Sequence, residues 1–138
     1  MLKKLFSNTQ LLPEDISTAI VRIMMGIFMI YHGWEVFDKA QIQTYAGWLT
    51  DKHFPSPTTW AYLGKGTEFA GGICLLFGFC TRLITIPLML TMLFIIFVLG
   101  HGKIFYEDQY PLLFFVFFLY LFINGSGKWG LDEKIFKL

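Results

Sequence analysis

Charge is scarce in this chain: Asp, Glu, Lys and Arg make up 15% of its 138 residues, against about 25% in soluble domains. The formal net charge is +1 and no basic stripe exists, which excludes a nucleic-acid partner. Cysteine is limited to Cys74 and Cys80. They form no C-x-x-C, and at this separation they point to different sides of a helix, so a dithiol redox pair is not expected. The sequence has no phosphate loop, nucleophile elbow or dinucleotide fingerprint. Near the start, Lys3 and Lys4 flank only a brief apolar patch (Leu2, Leu5, Phe6), and no small-residue cleavage site follows the first long apolar run. No cleaved signal peptide is expected. Met1–Gln10 reads instead as a short interfacial anchor.

Apolar surface is what the chain has in excess. Hydrophobic residues reach 55% and aromatics 19%, with sixteen Phe, and mean hydropathy is +0.56. So short a chain cannot bury that much apolar surface in a soluble core, so lipid has to be the solvent for much of it. The hydrophobic pattern predicts one all-α domain over residues 1–138, an integral membrane four-helix bundle. Its spans are at about 16–37, 59–79, 83–99 and 110–123. Between the first two, Ile42–Leu49 reads as a partial helix on the membrane surface, anchored by Tyr45 and Trp48. Pro87 kinks or starts the third span. Four spans put both ends on one side, with Lys3, Lys4, Arg82, Lys128, Lys134 and Lys137. Lys39, Lys52 and Lys103 face the other side beside Asp38, Asp51, Glu107 and Asp108, so the positive-inside rule places both termini in the cytoplasm.

The stretch 64–78 carries the strongest signal. Gly64, Glu68, Gly71 and Leu75 recur at helical spacing on one face. Small residues there let a neighbouring backbone approach. In the first span Arg22, Gly26, Met29 and Gly33 form a similar stripe, and Arg22, roughly 9 Å inside the helix start, has the length to snorkel back to the interface. Lys65 and Glu68 lie roughly 9 and 14 Å below the start of the second span at 1.5 Å per residue. A charge at such depth costs from about 2.5 kcal/mol upward and persists where it pairs or lines a cavity.

Every span brings titratable groups to the same, outer half: His32 and Glu35, then Lys65 and Glu68, then His101, then Tyr110. A polar outward-facing pocket follows, with Glu68 and His32 as candidate catalytic groups. Arg22, Lys65, Glu35, His101 and Tyr110 are the candidate ligand-binding groups, and Lys65, Arg22 or His32 is the candidate partner of Glu68. The plainer readings are a Glu68–Lys65 pair that fixes packing, a solvated Glu35–Lys39 helix-end pair and His101 as a helix cap. His32, His101 and Glu68 or Glu35 are suitable metal-ligand types, but no ligand spacing supports them and no metal centre is expected.

Arg22-Ile-Met-Met-Gly26, His32-Gly33-Trp34 with Phe37, Gly64…Glu68-Phe-Ala-Gly71-Gly72, Gly78-Phe-Cys-Thr81-Arg82, Tyr110-Pro111 and Lys128…Leu131-Asp132 together resemble the DoxX family of small four-helix membrane proteins, over about Ile16–Asp132. The resemblance implies a bacterial inner-membrane protein. The related DoxD branch implies a subunit of a thiosulfate:quinone oxidoreductase, hence a quinone cofactor, with a separate soluble or membrane redox partner. Glu35 stands where the family pattern leads one to expect a neutral residue. Three functions are open at this stage: a quinone-linked redox subunit, a small-solute or proton-coupled transporter with Glu68 as relay, and a non-catalytic membrane scaffold. The Phe-rich Phe114–Phe122 suits lipid contact or a homodimer seam equally.

Overall fold

A computed structural model describes residues 10–100 and 109–136, together with Leu2 and Ser7. The expected N-terminal anchor and His101 lie largely or wholly outside the described residues. Those described are helical and contain no strand: α1 is Glu14–Gly33, α2 Lys39–Asp51, α3 Pro57–Phe77, α4 Thr81–Phe94, α5 Gln109–Asn124 and α6 Leu131–Phe136. A single 3-10 turn, Trp34–Phe37, extends α1, and a π-helical segment, Ile95–Leu99, extends α4. Glu14–Phe37 and Thr81–Leu99 are long and apolar enough to cross a membrane, with mean hydropathy 1.4 and 2.4; α5 is a shorter apolar helix.

Local chemistry accounts for the boundaries. Glu14 and Asp15 occupy the first turn of α1, where the helix dipole favours negative charge. The Asp38 carboxylate caps α2 by accepting from the Ala40 and Gln41 N–H groups. Gly78 ends α3 at φ +69°. Asp132 accepts from the Cys80 and Thr81 N–H groups at the start of α4, tying the chain after α5 to the α3–α4 turn. Pro87 falls inside α4 rather than starting it.

The core joins Met25 and Met29 of α1 to Leu75 of α3, Leu88 and Met92 of α4, and Phe118 and Leu121 of α5. The α1–α3 contact is backbone against backbone. A methyl group on Gly26 would lie 2.7 Å from the Leu76 nitrogen, and one on Gly72 would lie 2.6 Å from the Ile30 nitrogen. At Gly33 it would overlap the Phe69 backbone. The stripe expected on α1 is therefore the surface on which α3 rests. Gly64 differs from that expectation: nothing lies within 4 Å of a methyl group placed on it, so it opens space instead of closing a contact.

α2 is also more than a partial surface helix. Ile42, Ala46 and Leu49 are buried, and α2 packs on α3. It thereby covers the α3 turn that carries Lys65 and Glu68.

Candidate functional site

Glu68 is 3% exposed. Its Oε2 lies 3.0 Å from Lys65 Nζ, one helical turn earlier on α3. The same Nζ is 3.0 Å from Glu35 Oε2, and it donates to the His32 carbonyl at 3.4 Å. The Tyr45 hydroxyl donates to Glu35 Oε2 at 2.5 Å, and Lys65 Nζ sits 4.9 Å from the centre of the Tyr45 ring. One ammonium thus gathers two carboxylates, a carbonyl and an aromatic face from three elements.

Tyr45, Lys65 and Glu68 of this array line a cavity of about 350 Å³ between α2, α3 and the end of α4. Tyr45 and Trp48 line it from α2, Trp60, Gly64 and Glu68 from α3, and Phe94 from α4. The Trp60 and Phe94 rings are parallel within 10° with centres 6.1 Å apart, and Phe54 abuts both edge-on. The π-helical turn supplies Ile95 and Leu99 to the far wall. Its wider winding is closed by Gly100 N–H donating to the Ile95 carbonyl at 2.7 Å. Such turns are frequent at functional sites. Gly64, lacking a Cβ, keeps the floor open between Trp60 and Glu68, which precede and follow it by one helical turn.

Tyr45 lies outside the apolar spans. Burial, and then its hydrogen bond to Glu35, push its phenol up to about 12. The hydroxyl stays protonated across the physiological range and keeps donating to Glu35. A folded-state value above the ordinary one of about 10 means that its stabilisation is complete below pH ~10 and lost as pH rises through about 12. Ultraviolet phenolate titration should show this directly. The difference between wild type and Tyr45→Phe isolates one tyrosine with a midpoint near 12, and a midpoint near 10 would contradict the buried hydrogen bond.

Sequence reasoning placed Glu68, Lys65 and Glu35 in one half of the molecule, and the structure brings them into contact. Glu35 is not the solvated Lys39 partner it resembled; it bonds Lys65 and Tyr45. The hydrogen bond that His32 makes to the array comes from its carbonyl, which accepts from Lys65. Its imidazole is exposed and rests edge-on against Tyr31 and Phe114, with ring centres at 5.7 and 5.8 Å. Tyr110 is 76% exposed at the start of α5 and is not among the residues lining the cavity.

Arg22 corrects the sequence reading most. It neither pairs with Glu68 nor snorkels to the interface, but is 1% exposed at the C-terminal end of α3. There Nη1 donates to the Leu75 and Leu76 carbonyls at 2.7 and 2.9 Å, and Nε to the Ser126 carbonyl at 3.2 Å. A helix end leaves its last carbonyls without partners, and a buried guanidinium with fixed donors satisfies them. Trp60, Phe94 and the π turn have no place in the sequence reading, and Trp48 enters it only as an interfacial anchor. The spacing of Trp60, Gly64 and Glu68, each four residues from the next, was the available signal for the α3 wall.

The family model described as DoxX matches residues 17–101 of this chain. The chain is also similar to a Bacillus subtilis (strain 168) protein named "Putative oxidoreductase CatD", at 26% identity over 126 residues, 89% of this chain and 90% of that one. No solved structure gives a significant match.

Proposed function

This chain belongs to the DoxX family, and from that premise we propose that it is a multi-pass protein of the bacterial inner membrane and the membrane part of a quinone-linked oxidoreductase. In this reading α1, α3, α4 and α5 form a four-helix membrane bundle, both termini are cytoplasmic, and the cavity opens in the outer half. An oxidoreductase role agrees with the name carried by the Bacillus relative. The observation that carries the reading is a carboxylate, 3% exposed, in the wall of an aromatic cavity of about 350 Å³. Small-molecule sites occupy roughly 300–1,000 Å³, mostly apolar with a few placed polar groups.

The residues present fit a quinone head group, which is flat, apolar on both faces and polar at its edge. Trp60 and Phe94 offer ring faces, and Glu68 offers an acceptor to the hydroxyl that the ring carries when reduced. Lys65 fixes Glu68, while Glu35, Tyr45 and the His32 carbonyl fix Lys65. When bound, a quinone supplies a carrier of two electrons and two protons. Glu68 then holds or releases a proton at its carboxylate, and Lys65 steadies the charge. His32 contributes through its backbone. The electron donor belongs to a separate redox partner.

Tryptophan fluorescence of the purified full chain tests this with a short-chain ubiquinone analogue. Saturable quenching is expected from Trp48 and Trp60. A leucine at position 64 projects into open space, so Gly64→Leu should fold normally and lose saturable quenching. Non-saturable quenching in wild type, or unchanged quenching in Gly64→Leu, would contradict the reading.

A second reading, a proton-coupled transporter, draws on one further observation. The bonded series Glu68–Lys65–Glu35–Tyr45 leads from a buried carboxylate to a half-buried residue of α2. Proteoliposome flux abolished by Glu68→Gln would favour it.

A further inference from the structure

Within the quinone-linked reading, on which this inference rests, we propose that the cavity binds the reduced, hydroxyl-bearing form of its ring ligand in preference to the oxidised, carbonyl-bearing form. The preference comes from which hydrogen-bonding groups the walls still have to offer.

A quinone carbonyl only accepts hydrogen bonds, so it needs a donor from the protein. The donors nearest Glu68 are already engaged. Lys65 has three N–H groups, and its Nζ contacts Glu35 Oε2, Glu68 Oε2 and the His32 carbonyl at 3.0, 3.0 and 3.4 Å. The Tyr45 hydroxyl is committed to Glu35. The Thr91 hydroxyl, on the α4 wall, donates back to the Pro87 carbonyl at 2.8 Å. Gly100 N–H closes the π turn. Among the described residues that line the cavity, the remaining side-chain donors are the indole N–H groups of Trp48 and Trp60, residues 50% and 41% exposed.

An acceptor is what remains at depth. Glu68 Oε2 is held by Lys65, whereas Oε1 has no hydrogen-bond partner among the described residues. A ligand hydroxyl in the cavity can donate to this oxygen, and hydrogen bonds to a charged acceptor are about twice as strong as neutral ones. An oxidised ring would set a carbonyl lone pair against that carboxylate. The array also carries two carboxylates to one ammonium, which disfavours any ligand presenting negative charge.

Calorimetric titration of the detergent-solubilised full chain under anaerobic conditions tests the preference. The probes are a short-chain ubiquinone analogue, its dithionite-reduced quinol, and the dimethyl ether of that quinol, which keeps ring and tail but has no O–H. The quinol is expected to bind about 10-fold or more tightly than the quinone, as one hydrogen bond to a charged group implies. The dimethyl ether should lose that advantage. Glu68→Gln, whose amide offers an N–H as well as an oxygen, should narrow or reverse the quinol preference. Quinone binding as tightly as quinol in wild type would overturn the inference while leaving the quinone-linked reading intact. A quinol preference that survives in Glu68→Gln, or is shared by the dimethyl ether, would overturn it in the same way. Failure of all three probes to bind the folded chain would overturn the quinone-linked reading itself.

Discussion

Replacing Lys65 with methionine should destabilise the protein by about 3–5 kcal/mol, the range for breaking a buried ion pair by removing one partner. Lys65 is the only cation in contact with Glu68 among the described residues, and it holds Glu35 as well. Without it, a carboxylate 3% exposed loses its counter-charge. The double variant Lys65→Met/Glu68→Gln should recover most of the loss, because replacing both charges by neutral groups of similar size is often close to neutral. Reversible unfolding in mixed detergent, read as a double-mutant cycle, checks both statements. A stable Lys65→Met single variant would show that the array is hydrated in solution.

Arg22→Met should cost a comparable amount, about 3–5 kcal/mol, for a different reason. The Leu76 and Ser126 carbonyls lose their donor and the Leu75 carbonyl is left with the Gly78 N–H alone, and each orphaned buried acceptor costs roughly 1–3 kcal/mol. Arg22→Lys should recover little, since one ammonium cannot reproduce the fixed fork that reaches two α3 carbonyls through Nη1 and Ser126 through Nε. The loss should leave the Glu68 cavity intact in whatever fraction remains folded. Thermal unfolding with and without a short-chain quinone analogue separates the two effects: a lower melting temperature and an unchanged ligand-induced shift. Loss of the ligand shift in folded Arg22→Met would place Arg22 in the binding site after all.

The helices were legible because lipid-facing surface and helical period both leave marks in a single sequence. Runs such as Leu83–Leu99 carry no charge, and Gly26 and Gly33 repeat at helical spacing. Glu68 and Lys65 were legible for the same reason, since charge at that depth is costly enough to need an explanation. Partners supplied by other elements were not. Tyr45 reads as an interfacial anchor until α2 is seen folded onto α3, which turns its hydroxyl to Glu35. Arg22 and Glu68 are both rare charges in apolar helices, yet Arg22 serves the C-terminal end of α3 while Glu68 sits at its middle, because nothing in the spacing says which carbonyls a guanidinium reaches. His32 shows a further limit: its backbone carbonyl, which any residue type would supply, makes the contact with Lys65. The π turn at Ile95–Leu99 has no side-chain signature; it is a change in winding within a uniformly apolar run.

Native mass spectrometry of the chain extracted gently from its own membranes tests most directly whether the cavity beside Glu68 is a ring-ligand site. One bound quinone or quinol per chain is expected in wild type, and none in folded Gly64→Leu. A wild-type chain that carries no such ligand, or a Gly64→Leu chain that retains it equally, would contradict that assignment.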